Sequence, residues 1–113
     1  MIEHATGVSV VLVTAPDAGV AERLGRSLVE ERVAACVNVV PGVTSLYRWE
    51  GAVQKDAEVL MLIKTTVDGF DALRRRVLEL HPYDAPEVID IGVRDGDPDY
   101  LAWIRNSVGE DGS

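Results

Sequence analysis

The side chains with the widest chemical reach fall in one short stretch, His81-Pro82-Tyr83-Asp84-Ala85-Pro86-Glu87. An imidazole followed by a phenol and carboxylates has the groups to ligate a metal or to move protons. His81 stands where an apolar helical stripe runs into a proline, and an imidazolium is favoured at a helix C-terminus. The alternative is a helix-stop residue whose ring bonds a backbone carbonyl. His4 lies in the polar N-terminal segment and reads as solvated. Cys36 is the only cysteine, which excludes an intramolecular disulfide and suits a reducing cytoplasm. In the run Ala34-Ala35-Cys36-Val37-Asn38 it reads as a small buried hydrophobe. Two histidines and one cysteine cannot close a four-ligand structural zinc site. A site shared between subunits and completed by carboxylates can.

Two further pairs stand out. Tyr47 and Trp49 fall on one face of an extended segment, as the aromatic wall of a ligand cleft or as packing against a neighbouring subunit. Glu58 and Lys64 share a strand face with Leu60 and Leu62 between them. A lysine on an apolar strand needs a partner, because an unpaired buried charge is costly. It pairs with a carboxylate such as Glu87, or it binds an anion. No CxxC, HExxH, EF-hand, GxGxxG or P-loop pattern is present.

The elements that must position these residues follow from patterning. Of 113 residues, 47% are apolar and 27% charged, the balance of one globular domain. Residues 1–7 read as a flexible N-terminus, 8–108 as the domain and 109–113 as a disordered tail. Eleven basic against nineteen acidic residues give a net charge of −8, which opposes nucleic-acid binding. Arg74-Arg75-Arg76 points three ways on a helix and makes no patch. No apolar run approaches the roughly 20 residues of a membrane helix, and no signal peptide is visible.

Val8 to Thr14 is a β-branched run buried on both faces. Asp17 or Thr14 caps a following helix with Ala21, Leu24 and Leu28 as its stripe, running to about Arg32. Ala34 to Val40 and Val43 to Glu50 form strand with a bulge or bend at Pro41-Gly42, and Glu50-Gly51 makes a tight turn. Val53 to Thr66 returns. Asp68 caps a second helix with Phe70, Leu73, Val77 and Leu80 inward. Glu87 to Val93 is a fourth strand, and Asp97 to Val108 a last helix anchored by Tyr100, Leu101, Trp103 and Ile104. The order predicts an α+β protein: a ferredoxin-like βαββαβ sandwich with an antiparallel sheet and an extra C-terminal helix. Helices then cover one sheet face, yet three strands are apolar on both. Exposing each extra Leu or Val forgoes about 1.5–3 kcal/mol, so other subunits in a closed cyclic oligomer are expected to cover the second face.

Taken together, the segments 11–17 (VLVTAPD), 28–51 (LVEERVAACVNVVPGVTSLYRWEG), 58–66 (EVLMLIKTT), 81–88 (HPYDAPEV) and 97–104 (DPDYLAWI) resemble the CutA family of divalent-cation tolerance proteins. The resemblance runs from Val8 to Val108. It implies a ferredoxin-like subunit in a tight homotrimer, similar to the PII signalling trimers. It also implies a cytoplasmic location, a link to metal tolerance, chiefly copper, and clefts between subunits. The family pattern falls on Cys36, Tyr47, Trp49, Glu58, Lys64, His81, Tyr83 and Glu87, with His81 as the expected metal ligand and the others lining the cleft. Some bacterial members carry a cysteine before the Thr of TAPD and a histidine before HPY, both linked with copper. Here those positions are Val13 and Leu80.

Three functions compete. The first is a non-enzymatic trimer binding copper or a similar cation through imidazole or thiolate and carboxylates. The second is a PII-like sensor of an anionic metabolite or nucleotide, using Lys64, Tyr47 and Trp49. The third is an acylphosphatase-like enzyme. It lacks support, because the loop after the first strand has no arginine to cradle an anion.

Overall fold

The computed structural model describes residues 6–109. The element order is β1 (Val8–Ala15), α1 (Ala18–Glu30), β2 (Cys36–Trp49), β3 (Ala52–Thr66), α2 (Phe70–Leu80), β4 (Val88–Gly92) and α3 (Pro98–Ser107). The four strands form one sheet in the order β2-β3-β1-β4, and every neighbouring pair is antiparallel. Of the expected flexible ends, residues 1–5 and 110–113 lie outside the described residues. Thr6 and Gly7 are tied down: Thr6 donates from its hydroxyl to the Val93 carbonyl, and the Val67 amide donates to Gly7.

Alternation along the strands sorts the sheet into two faces. Val11, Val13 and Ala15 of β1 and Val59, Met61 and Ile63 of β3 point to one side. There they meet Ala21, Leu24 and Leu28 of α1 and Leu73 and Val77 of α2, all buried. The helix stripes expected from sequence supply this core, except that Leu80 ends up exposed. Gly25 lets α1 approach β2, since a Cβ there would lie 3.1 Å from Val37. Val8 points the other way and packs with Ala35, Leu101 and Ile104, so α3 covers one end of the opposite face.

The rest of that opposite face carries no helix. Val10 and Leu12 of β1, Leu60 and Leu62 of β3, Val40 of β2 and Ile89 and Ile91 of β4 lie side by side in register. Ile89 is 50% and Ile91 47% exposed. This is the apolar face that patterning left uncovered.

Local chemistry explains the element ends. Asp17 is the N-cap of α1, accepting from the Val20 amide at 2.8 Å. We predict that Asp17→Ala lowers unfolding stability by about 1 kcal/mol in urea titration, the usual cost of a lost cap. Helix α1 stops at Glu30, two residues early, because Arg32 takes φ 63° and turns the chain back. Its guanidinium then bonds the carbonyls of Ser107 and Gly109, at 3.1 and 3.0 Å, fastening the end of α3. The expected Asp68 cap is not made. The N-cap of α2 is Gly69, and its amide donates to Thr66 Oγ1 at 3.0 Å. Tyr100 and Trp103 do not anchor α3; they are exposed and stack on each other with centroids 5.6 Å apart.

β2 begins at Cys36 and continues through Pro41-Gly42 as a bulge: Val40 pairs with Leu60 and Val43 with Glu58. One extra residue on β2 switches its parity. Cys36, Asn38 and Val40 face the open side before the bulge, and Val43, Ser45, Tyr47 and Trp49 after it. Glu50 and Gly51, at φ 50° and 78°, close the hairpin with a two-residue turn of the type that matches strand twist.

Candidate functional site

The expected functional residues gather into two clusters at opposite ends of the open face. His81 organises the first. It is the C-cap residue of α2, its amide bonded to Val77 O at 2.8 Å, and its ring is buried. Nε2 lies 2.8 Å from the Thr14 carbonyl, and Nδ1 is 3.1 Å from the Tyr83 amide. A carbonyl only accepts and an amide N–H only donates, so Nε2 carries the proton and Nδ1 receives one. The ring is thereby a neutral clasp between β1 and the loop after α2. It also holds the Tyr83 ring, with centroids 4.7 Å apart.

Tyr83 reaches from that loop to β3 and donates from its hydroxyl to Glu58 Oε2 at 3.0 Å. Beside it, the Tyr47 hydroxyl donates to Asp56. Asp56 is two residues from Glu58 on the same strand, hence on the same face. That spacing could have revealed it, yet it was not among the expected site residues. Partial burial, and then the bond to Glu58, push the Tyr83 phenol up to about 12 from 10.0. The Asp56 bond raises the Tyr47 phenol as well. Tyr83 stabilises the fold fully below pH 10. Between 10 and about 12 the unfolded chain loses the phenolic proton and the folded chain keeps it, so stability falls as pH rises. Tyrosinate absorbance should show the Tyr83 phenol titrating last, and Glu58→Gln should bring it down toward 10.0.

The second cluster is built on Lys64. Its ammonium donates to Asn38 Oδ1 and approaches Cys36 Sγ at 3.9 Å. The register explains the grouping, since Cys36 sits opposite Lys64 and Asn38 opposite Leu62. The expected carboxylate partner Glu87 is not there. It is exposed, immediately before β4, and makes no ion pair with Lys64. Trp49 stands apart at the hairpin tip, opposite Ala52 and 62% exposed.

The residues of one chain do not fit a copper ion at His81. Both ring nitrogens are spent, and binding there would break the Thr14 or the Tyr83 bond. Among the described residues no group of three or more His, Cys, Asp and Glu is placed to hold a metal. His81, the expected metal ligand, serves in this chain as a clasp of the loop, and a metal at its ring would have to displace one of those two bonds. Among the described residues, too, no helix is long and apolar enough to cross a membrane.

Residues 9–107 match the family model described as CutA1 divalent ion tolerance protein. The chain belongs to the CutA1 family. A CutA relative, the divalent-cation tolerance protein CutA of Thermus thermophilus, is 50% identical over 100 residues, 88% of this chain and 97% of that one. The solved structure of the divalent cation tolerance protein from Thermus thermophilus superposes with a TM-score of 0.88 at 49% identity, covering 90% of this chain and 99% of that chain. The rice protein named CutA 1, chloroplastic, is 48% identical over 101 residues, which are 89% of this chain and 57% of that longer one. The CutA fold therefore accounts for the sheet order and the three helices described above.

Proposed function

We propose that this chain works as a homotrimeric, non-enzymatic binding protein of divalent-cation tolerance in the cytoplasm. In this reading three copies bury their open sheet faces together and form ligand clefts between them. The observation that carries it is the apolar row Val10, Leu12, Leu60, Leu62, Ile89 and Ile91, which no element among the described residues covers. Packing it against like faces stabilises each copy by several kcal/mol, at about 25 cal/mol per Å² removed from water. Among the described residues no group of three or more His, Cys, Asp and Glu is placed to hold a cation, and in this reading the clefts between copies supply its ligands.

Light scattering at micromolar concentration tests the reading: a mass of three times 12.3 kDa is expected, and a solitary 12.3 kDa species overturns it. Calorimetric titration of copper into the wild type and His81→Gln separates the metal question. Equal heats are expected from both. Stoichiometric binding lost in the variant would restore His81 as a ligand.

Lys64 favours a second reading, a PII-like sensor of an anionic metabolite or nucleotide, because among the described residues its ammonium has only neutral partners. A thermal-shift series with inorganic phosphate and adenine nucleotides tests it. A shift abolished by Lys64→Met supports it, and no shift at millimolar ligand rejects it.

A further inference from the structure

The open face is electrically polar along β3. Glu58, Leu60, Leu62 and Lys64 point the same way, with the carboxylate at one end and the ammonium at the other. Six residues of strand separate the two charges by about 20 Å, far beyond any ion pair within one chain. Both charges are also incompletely used. A lysine has three N–H donors, and the described contacts of Lys64 take two of them, one to Asn38 and a weak one to Cys36. Glu58 accepts from Tyr83 through Oε2, and its Oε1 has no partner among the described residues. The ion pairs among those residues all lie on the helix side, between Asp71, Glu31, Glu79 and the three consecutive arginines.

We infer that Lys64 of one copy pairs with Glu58 of the neighbouring copy, so that each cluster completes the other across the interface. The inference rests on the homotrimer reading and adds the contact that orients the copies. Covering the apolar band with a like face takes Lys64 and Glu58 out of water, and an unpaired charge there would oppose association. The face offers a cation at one end and an anion at the other, both on the same side of the sheet. A head-to-tail ring brings unlike ends together at every interface and leaves no end over. The Tyr83 hydroxyl, already on Glu58, then fixes the carboxylate for the incoming ammonium. The clefts of the trimer are thus lined by Tyr83, Glu58 and Asp56 of one copy and by Lys64, Asn38 and Cys36 of the next.

Charge reversal and cross-linking test this on the intact chain. Lys64→Glu and Glu58→Lys should each weaken assembly about tenfold or more, the effect of a coupling near 1.5 kcal/mol. The double reversal in one chain should restore wild-type assembly. A zero-length carbodiimide should join the wild-type chains into covalent dimers and trimers through Lys64 and Glu58. The joined species should vanish in Lys64→Met and in Glu58→Gln, which keep the shape of the face. A wild-type trimer without that cross-link, or a double reversal no better than the single ones, overturns the pairing and leaves the trimer standing. A wild type that scatters as a single chain overturns the trimer itself.

Discussion

Leu12→Glu should turn the assembly into single chains of 12.3 kDa by light scattering, while the circular dichroism of the fold stays unchanged. Leu12 is central on the open face, between Leu62 of β3 and Ile89 of β4. Its flanking residues Val11 and Val13 point into the helix-side core and are fully buried. The substitution therefore places a carboxylate only on the open face, which the proposed homotrimer would bury. Each interface loses a leucine contact of about 2 kcal/mol and gains an unpaired charge at a further cost of several. A variant that stays trimeric would mean that the subunits meet elsewhere, through the hairpin or the sheet edges alone.

His81→Ala should cost about 2–4 kcal/mol of unfolding free energy, read by urea titration at fixed chain concentration. The substitution removes a buried ring, leaves the Thr14 carbonyl without its donor and frees the Tyr83 amide. Tyr83 loses the surface that holds it over Glu58, so its late titration should move back toward 10.0. His81→Gln, which can still donate to Thr14, should recover part of the stability. A change below about 0.5 kcal/mol in the alanine variant would show that the clasp is idle.

The strand periodicities made most of this legible beforehand. Odd and even positions of β1 and β3 separate the helix-side core from the open face, and that separation needs only the period of two. Glu50-Gly51 closes the hairpin where its residue types required. What stayed hidden depended on the partner opposite. Asn38 rather than Glu87 meets Lys64, because the β2–β3 register decides which side chain arrives there. His81 carried two readings until the Thr14 carbonyl and the Tyr83 amide were found on its two nitrogens. The cap of α2 was misplaced by one residue, since Thr66 receives the Gly69 amide and removes the need for an Asp68 side chain. Tyr100 and Trp103 fit a helical stripe, yet α3 meets the sheet through Leu101 and Ile104 only.

The extra residue between Val40 and Val43 buffers the outer half of the hairpin against a change in length. Losing one codon at Pro41 or Gly42 would leave a single residue opposite Val59, with Val40 still opposite Leu60 and Val43 still opposite Glu58. Tyr47 and Trp49 would keep their side, and the arm would lose only its local kink. A frame-preserving deletion there is thus a milder change to this lineage than its place in mid-strand suggests.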